Sequence, residues 1–128
     1  MPVSKALNLM NAAYIDEMVS KSLAGERSVY VGHVPDPECY IQSIRQRFLD
    51  KRIEPALRTV IVEPHIVHLV DLPAGTHMVY FVTEDNPLSV FYDPSSESFG
   101  AAWGPDESTG QYLDLGFRSD DVLDMAAA

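Results

Sequence analysis

The stretch that decides the fold is 76–103, THMVYFVTEDNPLSVFYDPSSESFGAAW. It holds three runs rich in β-branched, aromatic and small apolar residues, and these are separated by the turn sequences EDNP at 84–87 and PSSE at 94–97. Short apolar runs joined by tight, turn-forming breaks are typical of antiparallel hairpins. The stretch therefore predicts three consecutive antiparallel strands.

The pattern continues on both sides of this stretch. Further apolar runs lie at 57–62, 66–70 and 112–117. Upstream, the sequence predicts a helix at 4–23, a strand at 28–34 and a second helix that begins at Asp36 and Pro37, which suit an N-cap and a first helical position. A short helix capped by Ser119 is predicted at the C-terminal end. The expected fold is one α+β domain over residues 1–128: helix, strand, helix, an antiparallel meander of five or six strands and a terminal helix, with the helices on one sheet face.

The charges of the chain are unevenly distributed. The net charge of the 128 residues is −10. Residues 1–70 hold eight basic and eight acidic side chains, whereas residues 71–128 hold eleven acids and a single base, Arg118. Phosphate backbones attract basic surfaces, so the second half is not expected to bind nucleic acid. Its acids either keep the protein in solution or attract a basic partner.

The compartment is predicted from two further features. The single cysteine, Cys39, has no partner in the chain for a disulfide, which is typical of a reducing environment. The sequence has no apolar run of the roughly 20 residues that a bilayer span needs, and its first 20 residues lack the apolar core of a signal peptide. We expect a cytoplasmic protein that does not contact membranes.

Strand alternation predicts which residues form the core. If each turn closes its hairpin symmetrically, Thr83 pairs with Leu88 and Asp93 pairs with Ser98. One face is then almost entirely apolar and is expected to lie under the helices; it carries Ile66, Val70, Val79, Phe81, Leu88, Val90, Tyr92, Phe99, Ala101 and Trp103.

The opposite face mixes aromatic, small and acidic residues and is the candidate binding surface. Its candidate binding residues are Met78, Tyr80, Phe91, Asp93, Tyr112 and Asp114. An exposed aromatic patch on a monomer usually marks an interface or a ligand surface. The sequence leaves three readings open: a second core under a curled sheet, a homodimer interface, or a surface for a foreign partner.

The histidines suggest an alternative pocket. In the assumed register His68 and His77 lie diagonally on the core face, so an alternative pocket would be lined by His68, His77, Tyr92 and Trp103. The pair His65 and His68 would fall on opposite faces of a strand, and no third metal ligand is evident. The sequence predicts no metal site, no cofactor and no catalytic residue.

The functional expectation follows from the charge split and from the lack of a recognisable catalytic motif. It is a small, acidic, non-enzymatic binding or inhibitor protein of the immunity type, which recognises a basic protein through its second half and second sheet face. The alternative is a small-molecule-binding domain, or a small enzyme, with a pocket between the helices and a curved sheet.

Overall fold

The computed structural model describes the backbone of residues 2–25, 32 and 35–127, and the side chains of those residues from 12 onward. The elements in chain order are α1 (Pro2–Ala24), α2 (Pro37–Lys51), β1 (Arg52–Val62), a 3₁₀ turn (Pro64–Ile66), α3 (Val67–Val70), β2 (Gly75–Thr83), β3 (Leu88–Asp93), β4 (Ser98–Trp103), β5 (Tyr112–Asp114) and α4 (Val122–Ala126). The strand predicted at 28–34 lies outside the described residues, apart from Gly32.

The start of α2 agrees with its sequence signal. The Asp36 carboxylate accepts a hydrogen bond from the Cys39 amide at 3.1 Å, and Pro37 is the first helical residue. At the other end of α2, Arg47 donates to Asp85 of the acidic half at 2.7 Å. The C-terminal helix also forms, but its N-cap is Asp121 rather than the predicted Ser119, because Asp121 is the residue that accepts from the Leu123 amide.

The sheet closes into a five-stranded barrel, which corrects the expectation of a purely antiparallel meander. Neighbouring strands from β1 to β5 pair antiparallel along the chain, and β5 then pairs parallel with β1 through Val60–Tyr112 and Ile61–Leu113. Closure satisfies the edges that an open sheet would leave unpaired. The α+β class is confirmed, and the sheet is mixed.

The run at 66–70 is helical, so the strand predicted there is wrong. Pro64 begins a 3₁₀ turn that continues into α3. Ile66 and Val70 are both buried. Because residues four apart share one face of a helix, a helical turn buries the two together as effectively as a strand would.

The β2–β3 register differs by one residue from the symmetric hairpin. Phe81 pairs with Phe91 and Tyr80 pairs with Tyr92. The Thr83 hydroxyl accepts from the Val90 amide at 2.8 Å, so a side chain takes the place of the next backbone partner and the ladder ends early. A shift of one residue exchanges the two faces of β2 relative to β3. In contrast, the predicted β3–β4 register, with Asp93 opposite Ser98, is confirmed.

The sheet therefore has an outer and an inner core. On the outer face, helices α1, α2 and α4 pack against alternate residues of β2–β4. The residues of this outer core are Ile15, Val19, Leu23, Phe48, Tyr80, Val82, Val90, Tyr92, Phe99, Val122, Leu123 and Met125. The inner core fills the barrel with Val60, Val79, Phe81, Phe91 and Ala102. A barrel of five strands has room inside for side chains only.

None of the helices in the described part of the chain is long and apolar enough to cross a membrane.

Candidate functional site

Four of the six predicted binding residues share a face, but that face is the inside of the barrel. Phe91, Asp93, Tyr112 and Asp114 all point inward, as strand pairing and alternation require. Phe91 stacks against Phe81 with ring centroids 6.1 Å apart, and Tyr112 meets Phe81 edge-on at 4.7 Å. Of the three readings left open by the sequence, the second core is the one that describes this face.

The other two predicted residues do not join them. Tyr80 lies on the outer face, where it is buried under the helices, because the register shift moved it there. Met78 also points outward and is half exposed, beside the Thr59 hydroxyl. The six residues therefore do not form one continuous exposed surface.

An ion cluster occupies one end of the barrel. Arg118 donates to Asp93 Oδ2 from Nε at 3.1 Å and from Nη2 at 3.0 Å. The same guanidinium donates two hydrogen bonds to Asp114, from Nη2 to Oδ2 at 2.7 Å and from Nη1 to Oδ1 at 3.0 Å. Both carboxylates are fully buried. The only basic residue of the second half thus neutralises one of two acids that the sheet holds inside.

Further donors complete the environment of Asp93. Its Oδ1 accepts from the Ser95 hydroxyl at 2.7 Å and lies 3.1 Å from Nε2 of His77. Burial alone raises the pKa of Asp93, but the hydrogen bonds from Ser95 and His77, together with the charge of Arg118, outweigh it and lower the pKa below its usual value. Asp93 therefore stays ionised, and the cluster is a buried polar network that links β3, β5 and Arg118 at one end of the barrel.

Gly100 makes room for this cluster. A Cβ at this position would stand 2.5 Å from the Phe91 ring and 2.7 Å from Nη1 of Arg118. The Arg118 guanidinium also lies over the Phe91 ring, 5.0 Å from its centroid. Glycine lets ring and guanidinium approach the strand backbone as closely as they do.

The alternative pocket predicted from the histidines does not assemble. His68 is exposed on α3, and His77 points into the barrel towards Asp93. Tyr92 lies in the outer core, on the other side of the sheet from His77. Trp103, expected under the helices, is 41% exposed. The helix at 67–70 accounts for the position of His68, and the shifted register accounts for that of His77 relative to Tyr92.

An apolar row with exposed and partly exposed members crosses the outer face of the sheet. Trp103 pairs with Leu88 on one side and with Leu113 on the other, and Leu113 pairs in turn with Ile61 across the parallel seam. Directly opposed residues project to one side of a sheet, so these four form a band across β3, β4, β5 and β1. Leu88 is 40% exposed, and Leu113 and Ile61 are partly exposed. We call these four residues the apolar row.

A depression adjoins this row at the seam between β1 and β5. Its volume is about 290 Å³, and Thr59, Ile61, Thr76 and Gln111 are among the residues that line it. Ile61 belongs both to the depression and to the apolar row.

The loop at 104–111 places acid beside the row. It leaves β4 directly after Trp103 and is tied to the start of β3 by a hydrogen bond from the Gly104 amide to the Pro87 carbonyl, at 2.8 Å. Asp106 accepts from the amide and the hydroxyl of Ser108, both at 2.8 Å.

These hydrogen bonds favour the ionised form of Asp106. The bond from the Ser108 amide, followed by that from the Ser108 hydroxyl, lowers the pKa of Asp106. Next to it, Glu107 is exposed. We call 104–111 the acidic loop; it follows the half-exposed Trp103 directly in the chain and carries the hydrogen-bonded Asp106 and the exposed Glu107.

Sequence reasoning missed both the cluster and the row. Arg118 was the visible signal for the cluster, because a lone base among eleven acids needs an explanation, and buried acids supply one. The row had no comparable signal. Leu88 and Trp103 are as apolar as the core residues around them, and their exposure depends only on where the helices end.

The chain matches no family model, no curated protein and no solved structure. Its function is therefore argued from its own residues.

Proposed function

We propose that this protein is a non-enzymatic binding protein, of the inhibitor or immunity type, that recognises a basic protein through the apolar row and the acidic loop. The observation that carries the proposal is a half-exposed tryptophan within an apolar row, followed along the chain by the hydrogen-bonded carboxylate of Asp106 and by the exposed Glu107. Tryptophan is enriched among the residues that dominate binding energy at interfaces.

The chemistry of this surface favours a cationic partner. Trp103 offers the ring face that attracts an arginine or lysine most strongly. Asp106 and Glu107 follow three and four positions later in the chain, so their charge favours the approach of a cation to this surface. The leucines on either side of Trp103 supply the apolar centre that stable interfaces have.

The uneven charge distribution of the sequence also favours a basic partner, once the acids that are buried or paired within the fold are set aside. Asp93, Asp114 and Asp121 are buried, and Glu84 and Asp85 pair with Arg58 and Arg47 of the first half. These five of the eleven acids have structural partners within the fold. The acidic loop is among the remainder, whose charge is available to steer a basic partner.

The test is a calorimetric titration of the protein with a synthetic amphipathic peptide of alternating leucine and arginine. We expect Trp103→Ala to weaken binding by about 2 kcal/mol, which is roughly thirtyfold in Kd. Leu88→Ala should weaken it less, and Leu49→Ala on α2, an equally exposed leucine at 41%, is the matched control and should leave it unchanged.

Charge reversal tests the acidic loop separately. Glu107→Lys should weaken binding at low salt and have less effect at high salt, because salt screens exposed charges. Asp120→Lys changes the net charge equally at an exposed position outside the loop and should have a smaller effect. Equal effects of the two reversals, or wild-type affinity in Trp103→Ala, would refute the proposal.

A further inference from the structure

The seam that closes the barrel is short and leaves part of one edge of β1 unused. β1 runs for 11 residues and β5 for three, and the two strands pair only at Val60 and Ile61 of β1. On its other side, β1 pairs with β2 from Ala56 to Val62. Within the described part of the chain, no strand other than β2 pairs with β1 at 56–59. The edge of these residues that faces away from β2 can therefore accept a further strand.

Both ends of this unused edge are defined by the fold. Pro55 is buried in the irregular stretch between Arg52 and Ala56, and a proline has no amide hydrogen to offer a neighbouring strand. At the other end, the parallel seam with β5 begins at Val60. We call residues 56–59 the open edge.

The chain that precedes β5 is held away from the open edge. The Gly110 amide donates to the Asp106 carbonyl at 2.7 Å, and the Asp106 amide donates to the Gln111 carbonyl at 2.9 Å. These bonds fold the acidic loop into a turn, so β5 does not continue along β1. The depression of about 290 Å³ lies at this point, with Thr59 on one side and Gly110 and Gln111 on the other. A Cβ on Gly110 would meet no atom within 4 Å, so the space beside β1 is open.

The side chains of the open edge are accessible on the outer face. Leu57 is 38% exposed, and Thr59 is exposed and pairs with the half-exposed Met78. Arg58 points to the other face, where its guanidinium donates to Glu84 at 3.2 Å. The outer side of the open edge thus offers an apolar contact at Leu57, next to backbone groups that have no partner strand.

From the open edge and the turn that keeps β5 short, we infer that the basic partner binds as an additional β-strand on residues 56–59. A strand edge presents unpaired amide and carbonyl groups, and addition of an extended peptide to such an edge is a recurrent mode of recognition. The inference rests on the proposed function, because it concerns the same partner, and it adds how the backbone of that partner is bound. Ile61 lies two positions after the open edge and belongs to the apolar row, so the two surfaces adjoin along β1.

The charges near the open edge favour a basic segment. Glu54 is exposed shortly before the edge begins, and the acidic loop with Asp106 and Glu107 lies beyond its other end, at the depression. Arg58, the base of the open edge itself, already binds Glu84. A strand that carries arginine or lysine is therefore attracted to this edge more than an acidic one.

The experiment titrates the full chain with the leucine–arginine peptide and with two N-methylated derivatives, one methylated at every leucine and the other at every arginine. N-methylation removes the amide hydrogen and keeps the side chain. In an added strand only alternate residues turn their amides towards β1, so only one of the two derivatives should lose affinity, by at least about tenfold. Hydrogen exchange followed by NMR should show that alternate amides of 56–59 become protected when the unmethylated peptide binds.

A variant of the open edge provides a second test. Leu57→Lys places a charge on the edge, as natural edge strands do to prevent pairing, and should weaken binding of the unmethylated peptide at least about fivefold. Leu49→Lys on α2 introduces the same charge at a leucine of similar exposure, 41%, and should have a smaller effect.

Trp103→Ala separates this inference from the proposed function. Weaker binding in Trp103→Ala without protection at 56–59 supports the proposed function and overturns the added strand. Protection at 56–59 with unchanged affinity in Trp103→Ala supports the added strand and overturns the role of the tryptophan. Equal affinities of the two methylated derivatives, or wild-type affinity in Leu57→Lys, also overturn the added strand, and a peptide that does not bind at all overturns both.

Discussion

Replacing Arg118 with methionine tests the ion cluster, and with it the inward orientation of Asp93 on β3 and of Asp114 on β5. Arg118 makes four hydrogen bonds to the carboxylates of Asp93 and Asp114, both fully buried. Methionine retains the length of the side chain but leaves two buried charges without a partner. Removal of one member of a buried ion pair typically costs about 3–5 kcal/mol. We therefore expect the free energy of unfolding at neutral pH to fall by about 4 kcal/mol.

The same substitution should reverse the pH dependence of stability. In the wild type the pKa of Asp93 is lowered, so its contribution is complete above its unfolded pKa of about 4 and is lost as the pH falls below that value. Without Arg118, burial and mutual repulsion raise the carboxylate pKa values above those of the unfolded chain. The variant should then gain stability as the pH is lowered from 7 towards about 5.

Urea unfolding across this pH range measures both effects, and the slope of the transition checks that the reaction remains two-state. Arg47→Met is the matched control, because Arg47 also binds an aspartate but is exposed, and an exposed pair contributes little. Asp114→Asn in the Arg118→Met background should restore part of the loss by removing one of the two repelling charges. A loss as small as that of Arg47→Met, or an unchanged sign of the pH dependence, would refute the reasoning.

Two other predictions concern the inner and outer cores. Gly100→Ala should destabilise the fold by about 1–3 kcal/mol, because the new methyl group must displace the Phe91 ring or Arg118. Thermal denaturation measures this loss. Gly25→Ala is the control, because its Cβ would meet only ordinary contacts, the nearest at 3.4 Å. Tyr92 has a pKa raised to about 12, chiefly by burial, so its contribution is present below about pH 10 and is lost as the pH rises through 12. The free energy of unfolding should fall by about 3 kcal/mol over this interval in the wild type and not in Tyr92→Phe. Urea unfolding at a series of alkaline pH values measures it. An equal dependence on pH in the two proteins would contradict the raised pKa of Tyr92.

The elements that could be predicted from the sequence are those with a local cause. Asp36 and Pro37 begin α2 as expected, because capping depends on residues only a few positions apart. The β3–β4 hairpin has the predicted register, since its four-residue turn closes symmetrically on Asp93 and Ser98. Local chemistry was sufficient in both cases.

The predictions failed where a distant or side-chain contact decides the outcome. The β2–β3 ladder differs by one residue from the symmetric hairpin, and at its end the Thr83 hydroxyl accepts from the Val90 amide, a side-chain contact that alternation does not reveal. The barrel closes through a parallel contact between β1 and β5, more than 50 residues apart, which no periodicity reveals. Barrel closure turned the face with Phe91, Asp93, Tyr112 and Asp114 into an interior, and the shift of one residue moved Tyr80 to the other face.

The Trp103 surface shows a further limit of reasoning from pattern. Alternation correctly placed Trp103 and Leu88 on the same face as Val90 and Tyr92, and that face is the one the helices cover. However, α4 ends at Ala126 and covers only part of the face, so the end of the row stays exposed. Which residues a helix covers depends on its length and position, and neither was visible in the alternation.

The most direct measurement of the central claim is quenching of the fluorescence of Trp103, the only tryptophan in the chain. If Trp103 is half exposed near the acidic loop, with the hydrogen-bonded Asp106 and the exposed Glu107, the local negative potential concentrates cations and repels anions. Caesium should then quench the emission more strongly than iodide, relative to free N-acetyltryptophanamide, and Glu107→Lys should reduce the difference. Emission that neither ion quenches, or stronger quenching by iodide, would contradict an acidic binding surface at this tryptophan.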